Sequence, residues 1–177
     1  AMWDVWNEPE QNLHVRAPER ATLLCYCPEC LRAFKVWLQR KYGALERLNA
    51  VWGRCYGEWD DVEAPLHPET ISDFIDWREF HLDKLAEEGK WRLETVKRID
   101  PARTRYLHVV ADTMDCFNAV TCVDDFAMAE NCQVFASSMG GFSPLYCAQT
   151  VSASKGKPVF NAECHVNYGD TALHQRI

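Results

Sequence analysis

Two glutamates that end apolar stretches are the residues of this chain best suited to acid–base chemistry. Glu8 follows the apolar residues 2–6, and Pro9 ends the predicted strand there because proline has no N–H to donate to a ladder. Glu163 ends a second apolar stretch, residues 159–162. In repeated βα units the chemistry gathers at the carboxyl ends of parallel strands, so the two carboxyl groups are expected to meet at one edge of a sheet. Such a pair is suited to general acid and nucleophile roles.

Three cysteines form the second group of residues that could do chemistry. Cys25, Cys27 and Cys30 have the spacing C-x-C-x2-C, which suits thiolates that converge on one tetrahedral zinc. The fourth ligand stays open between Cys55, His14 and a residue upstream of this chain. Ligation by cysteines alone favours a structural zinc over a catalytic one. The alternative is a set of buried cysteines at the start of a helix.

The composition excludes several classes of function. The formal net charge is −7, which gives no electrostatic basis for binding nucleic acid. No apolar run approaches the roughly 20 residues that cross a bilayer, and no signal peptide is visible. The nine cysteines are odd in number, in a chain too long for a typical disulfide framework. Reduced cysteines and the lack of a signal lead us to expect a cytoplasmic protein.

The rest of the sequence predicts the elements that must position these groups. Helical periodicity ends at glycine or proline signals, and short apolar runs indicate buried strands. One long helical pattern carries Trp91 on its expected inner face, and Gly89 is expected to weaken that helix locally. Polar Ser137 and Ser138 follow the strand at 132–136. The predicted helices cover 28–43, 45–53, 69–99 and 144–154, a helix or loop covers 124–130, and strands cover 2–6, 106–111, 132–136 and 159–163.

This order of elements predicts an α/β fold. A strand precedes a long helical excursion, and strand, helix, strand, helix and strand follow. Repeated βα units imply a parallel sheet with right-handed crossovers.

One block of residues resembles a known family of enzymes. It is similar to family 42 glycoside hydrolases, the zinc-containing β-galactosidases, and Asn7-Glu8 resembles the general-acid motif of their retaining clan. The segment Gly156-Lys157-Pro158…Glu163 is similar to the strand that carries the nucleophile in that family. Pro9 stands where the family usually has an aromatic residue, so another sugar specificity within the clan stays open. The block is Cys25-Tyr26-Cys27, Cys30, Ala33-Phe34, Trp37-Leu38, Tyr42-Gly43, Leu45, Leu48-Asn49 and Trp52-Gly53.

The resemblance implies a partial (β/α)8 TIM barrel, with strands four to seven and a long helical insertion. Residues 1–177 would be a fragment of one catalytic barrel. Residues 1–101 would supply a strand and the cysteine-rich insertion, and residues 102–177 the remaining βα units. Glu8 would be the acid/base on strand four and Glu163 the nucleophile on strand seven. The enzyme would be a retaining β-galactosidase that acts through a covalent glycosyl-enzyme.

Further roles are expected around these two glutamates. The resemblance implies that Asn7 hydrogen-bonds the 2-hydroxyl of a β-galactoside or oligosaccharide substrate. His165 is expected to line the site, with a surface loop histidine as the alternative, and Trp6 is expected to stack on a sugar face. A structural zinc would clamp the insertion, with a fourth cysteine upstream. The family often forms trimers, so a homo-oligomer or a complementary chain segment is the expected partner.

A second hypothesis belongs to a different class. The chain would then be a non-catalytic, zinc-stabilised carbohydrate-binding or scaffold fragment. Glu8 and Glu163 favour the enzyme, because both carboxylates are present at predicted strand ends, in the order that the family resemblance implies.

Overall fold

The computed structural model describes residues 1–9, 25–66, 71–110, 123–138 and 144–162. In these ranges the chain forms strands and helices joined by short turns, with a single 3-10 turn at Trp59–Asp61. The strands are β1 (Met2–Asn7), β2 (Thr104–Val110), β3 (Phe135–Ser138) and β4 (Val159–Asn161). The helices are α1 (Pro28–Tyr42), α2 (Leu45–Trp52), α3 (Ile71–Ile99), α4 (Asp125–Glu130) and α5 (Pro144–Ser154).

The helix predictions are confirmed to within a few residues. Pro28 opens α1, where its missing N–H leaves no hydrogen bond unmade. Gly43 ends α1 with φ of 74°, and Gly53 ends α2 in the left-handed region with φ of 63°. Both conformations suit glycine because it has no Cβ.

The strand predicted at 132–136 is wrong at both ends, because β3 is Phe135–Ser138. Cys132 belongs instead to the turn that closes α4, where its N–H donates to the Ala129 carbonyl at 3.1 Å. Its side chain is buried, so an apolar residue in a turn extended the predicted strand backwards. Ser137 and Ser138 therefore lie inside β3 and not after it.

The four strands form one parallel sheet in the order β1-β2-β3-β4, which confirms the α/β class. Successive side chains alternate between its faces. Leu107 and Val109 of β2 enter the apolar core, whereas His108 contacts groups on the other face. The core residues of this part are Leu85, Leu93, Leu107, Val109, Val123, Met128, Ala129, Cys132, Phe135 and Ala153.

The chain divides into two compact units. The unit that holds the sheet comprises Ala1–Glu10 and Leu85–Ile177, and the other, Gln11–Lys84, is helical where it is described. The assignment of residues 1–177 to one catalytic domain stays a prediction. Among the described residues, no helix combines the length and the apolar character needed to cross a membrane.

The helical unit is organised around the buried carboxylate of Asp76. Its Oδ2 accepts hydrogen bonds from the Tyr42 hydroxyl at 2.6 Å and from Trp52 Nε1 at 2.8 Å. Its Oδ1 accepts from Lys41 Nζ at 2.7 Å. Burial first, and then the Asp76 hydrogen bond, raises the pKa of Tyr42 to about 12. Three donors from α1 and α2 thus satisfy one buried charge on α3.

The prediction that Trp91 lies on the inner face of α3 is wrong, since Trp91 is 61% exposed. An α-helix turns about 100° per residue, so Trp91 points away from Gly89 and Leu93, each two positions along. Both of those residues are buried in the sheet-containing unit. The buried stripe is therefore set by the close approach at Gly89, a constraint that periodicity alone does not reveal.

Gly89 is expected to be required where it stands. A Cβ added there would lie 2.9 Å from Leu107 Cδ1 and 3.3 Å from Met128 Sδ, both fully buried. Gly89→Ala should therefore destabilise the protein by about 1 kcal/mol, because overpacking costs about 1–3 kcal/mol and exceeds the helix-propensity gain. Urea unfolding measures it, with Gly57→Ala as the control in an exposed loop. An unchanged or higher free energy of unfolding would show that Leu107 moves aside freely.

Candidate active site and cysteine cluster

The backbone at the end of β1 fixes the position of Glu8. The pairing of β1 with β2 is irregular between Asp4 and Asn7. Glu8 follows with φ of 46°, an uncommon conformation for a residue with a side chain. Its N–H donates to the His108 carbonyl at 2.7 Å. This hydrogen bond holds the residue in a strained conformation of the kind that clusters at functional sites.

The Glu8 carboxylate is the end of a chain of polar contacts across three strands. Ser138 Oγ donates to Glu8 Oε1 at 3.1 Å. His108 Nε2 lies 2.6 Å from Ser138 Oγ. On the other side of the ring, His108 Nδ1 lies 3.7 Å from Asp4 Oδ2. The contacts run from β1 through β2 and β3 and back to the end of β1.

Strand register explains why these side chains meet. His108 pairs with Asn7 of β1 and with Ala136 of β3, so its ring lies between the two strands that carry Glu8 and Ser138. On the same face, the rings of Tyr106 and Phe160 are in edge contact at 4.9 Å. Burial raises the pKa of Tyr106, and the nearby Asp4 charge raises it further. The face therefore combines a half-buried carboxylate with hydroxyl, imidazole and aromatic groups.

The predicted substrate residues of β1, Asn7 and Trp6, differ in their exposure. Asn7 is exposed at the end of the strand. Trp6 is half-buried, packs against the apolar core and has Arg92 Cζ at 4.2 Å from its ring centroid. Glu163 and His165 lie outside the described residues. The separation of the Glu8 and Glu163 carboxyl groups thus stays a prediction, as does each of these roles.

Two residues of this network were not identified from the sequence. His108 stands inside the apolar run that predicts β2, a position typical of a core residue, and it is 4% exposed. The structure shows that its ring also lies between Asp4 and Ser138. Ser138 was predicted to follow the strand, so alternation along the strand did not indicate the face of the sheet on which its side chain lies. The available signal was a polar pair at the end of an apolar strand, at the edge where Glu8 lies.

The three predicted zinc ligands lie together. The Sγ atoms of Cys25, Cys27 and Cys30 are all within 4.8 Å of one another. Soft thiolates at this separation fit a tetrahedral zinc. Cys55 is exposed and outside this group, and His14 lies outside the described residues. The fourth ligand therefore stays a prediction.

The start of α1 favours a thiolate at Cys27. A hydrogen bond from the Cys30 backbone N–H, followed by contacts with the Cys25 and Cys30 side chains, lowers the pKa of Cys27 to about 7. Burial raises the pKa of Cys30, but Lys84 Nζ donates to its Sγ at 3.1 Å. A helix N-terminus and a lysine both stabilise negative charge, which a zinc ligand set carries.

Comparison with known proteins gives a consistent family assignment. The family model for glycoside hydrolase family 42, described as β-galactosidase, matches residues 1–163. A β-galactosidase of Planococcus sp. is 36% identical over 91 residues, which covers 44% of this chain and 14% of that protein. A β-galactosidase of Thermus thermophilus is 31% identical over 118 residues, which covers 62% of this chain and 17% of that protein. The chain thus spans about one sixth or less of these relatives.

Solved structures of family 42 enzymes have a fold similar to that of this chain. The crystal structure of a β-galactosidase from Bacillus circulans sp. alkalophilus aligns with a TM-score of 0.58 at 25% identity. The alignment covers 75% of this chain and 21% of that one. An exo-carrageenase of family 42 from Bacteroides ovatus aligns with a TM-score of 0.69 at 18% identity, over 88% of this chain and 24% of that one. At that identity the second match shows the fold alone.

Proposed function

Because the chain belongs to glycoside hydrolase family 42, we propose that it forms part of a retaining β-galactosidase with Glu8 as the acid/base. The observation that carries the proposal is the match over residues 1–163, which includes Glu8 at the end of β1 and Glu163 beyond β4. In the proposed fold, β1 to β4 are strands four to seven of a (β/α)8 barrel. Further polypeptide, in the same protein or as a complementary segment, supplies the other strands.

The proposed reaction has two displacements. Glu163 attacks the anomeric carbon while Glu8 donates its proton to the leaving oxygen, so the glycosidic bond breaks as an ester to Glu163 forms. Glu8, now a carboxylate, takes a proton from water, and the water oxygen displaces Glu163 and releases the sugar. The two carboxyl groups must lie about 5–5.5 Å apart for this mechanism. Asn7 hydrogen-bonds the sugar 2-hydroxyl in this proposal, and Trp6 and His165 line the site.

The cysteine cluster has a structural part in the proposal. Cys25, Cys27 and Cys30 would hold a zinc ion that cross-links the chain before α1 to the start of that helix. The ion would supply a cross-link and no catalysis, because ligation by cysteines alone is typical of structural zinc sites. A homo-oligomer or a complementary chain segment as partner is part of the same proposal.

The direct test is the stereochemistry of hydrolysis by the full-length polypeptide that contains these residues. We expect proton NMR of a 4-nitrophenyl β-galactoside reaction to show β-galactose as the first product, with the α-anomer appearing only by mutarotation. First formation of the α-anomer would overturn the retaining mechanism. Absence of turnover would favour the non-catalytic scaffold.

A matched panel of sugars tests the specificity. The 4-nitrophenyl β-D-galactoside, β-D-fucoside, β-D-glucoside and α-L-arabinopyranoside share one leaving group and an equatorial anomeric bond, and they differ in the rest of the sugar. We expect the highest kcat/KM for galactose. A clear preference for another sugar would support the alternative that Pro9 raised, a retaining enzyme of the same clan with a different specificity.

A further inference from the structure

We propose that Ser138 is a positioning residue for the Glu8 carboxyl group, and that His108 holds Ser138 in place. The inference rests on the proposed function, because it assigns a role in the reaction to residues of the same site. It is carried by the contacts from His108 Nε2 to Ser138 Oγ at 2.6 Å and from Ser138 Oγ to Glu8 Oε1 at 3.1 Å.

The direction of these hydrogen bonds follows from counting protons. The Ser138 hydroxyl has one proton, and it donates that proton to Glu8 Oε1. Ser138 Oγ must therefore accept at its contact with His108, so Nε2 carries a proton. Nδ1 then faces Asp4 Oδ2 at 3.7 Å. Among the residues that the structure describes, the groups on this face that can carry charge are Asp4, Glu8, Tyr106 and His108, and the proposed chain of contacts uses all but Tyr106.

The consequence for Glu8 is that its two oxygens become distinct. Oε1 is occupied as an acceptor by Ser138, so Oε2 is the oxygen left to carry the proton that the leaving group receives. The hydroxyl also restricts the rotation of a side chain that has several rotatable bonds. A loss of this restraint should weaken acid catalysis, because proton transfer depends on the position of the donor.

The test separates acid assistance from general damage to the site. A methyl β-galactoside has a poor leaving group and needs protonation, whereas a 2,4-dinitrophenyl β-galactoside does not. Ser138→Ala in the full-length protein should lower kcat/KM roughly tenfold for the methyl galactoside and less than about twofold for the activated one. Ser138→Thr keeps the hydroxyl and should restore most of the difference. Equal losses on both substrates, with no rescue by threonine, would overturn the proposal.

The neighbouring residue provides a matched control. Ser137 is fully buried on the opposite face of β3, and its Oγ has no hydrogen-bond partner among the described residues. Ser137→Ala removes the same atom from the same strand and should leave the ratio of the two rates unchanged. A change in that ratio as large as that of Ser138→Ala would show that any small loss in β3 has this effect.

A measurement that needs no turnover tests the contact between His108 and Ser138 independently of the proposed function. In protein labelled with 15N-histidine, Ser138→Ala should move the Nε2 resonance of His108. Ser137→Ala should leave that resonance where it is in the unmodified protein. If no galactoside is cleaved and this shift is seen, the proposed function fails and the contact stands. An unmoved Nε2 resonance would overturn the proposal that His108 holds Ser138 in place.

Discussion

Glu8→Gln is expected to lower kcat/KM for methyl β-galactoside by about 10²–10⁴-fold, the usual contribution of general acid catalysis. Glutamine matches glutamate in size and can accept the Ser138 hydrogen bond, so the fold should be kept. It has no proton of suitable acidity to give to a leaving oxygen. The loss for 2,4-dinitrophenyl β-galactoside should be much smaller in the first displacement, because that leaving group departs without protonation.

Azide provides the second readout of this variant. Because glutamine at position 8 cannot deprotonate water, the glycosyl-enzyme should accumulate in this variant. Azide is already an anion and can attack the glycosyl-enzyme without a base. Added azide should therefore accelerate turnover of the activated substrate and yield β-galactosyl azide. Glu130→Gln changes an exposed carboxylate on α4 and is the matched control. Equal losses on both substrates without an azide product would remove Glu8 from the acid/base role.

Cys27→Ser is expected to abolish stoichiometric zinc binding and to lower the thermal stability of the helical unit. The apparent free energy of zinc binding in small structural sites is about 10–16 kcal/mol and is coupled to folding. A contribution of only about 3 kcal/mol from zinc binding to the free energy of unfolding would shift the thermal midpoint of a unit of this size by more than about 10 °C. Elemental analysis gives the zinc content, and circular dichroism gives the midpoint.

The control for the zinc prediction is another cysteine of the same unit. Cys55 is exposed and lies outside the cluster, so Cys55→Ser should keep both the metal and the midpoint. A chelator added to the unmodified protein should reproduce the effect of Cys27→Ser. If the chelator removes the metal and the midpoint does not move, zinc has no structural part. Loss of zinc from Cys55→Ser would instead make Cys55 a ligand.

Local features of this chain were predictable, because they depend on residues close in sequence. Pro28, Gly43 and Gly53 set the bounds of α1 and α2, and the spacing of three cysteines brought their sulfurs together. The parallel sheet was also predictable, since alternating strands and helices leave few other topologies.

Features that depend on register between distant strands were not predictable. The contact of Ser138 with Glu8 joins residues 130 positions apart. It requires β3 to end at Ser138 and the pairing of β1 with β2 to be irregular before Asn7. Trp91 shows the same limit, because its exposure follows from the approach of Leu107 and Met128 to Gly89. The periodicity of apolar residues within α3 does not reveal that contact.

The backbone of Glu8 has a consequence for engineering this protein. A positive φ is easy for glycine and tolerable for asparagine, whereas for other residues such strain costs about 1–3 kcal/mol. A library selected only for survival on heating would therefore favour replacements at position 8 that relax the backbone and discard the carboxylate. Under the proposed function, thermal stability and catalytic activity oppose each other at this residue, so a screen for more stable variants has to measure the proposed galactosidase activity as well.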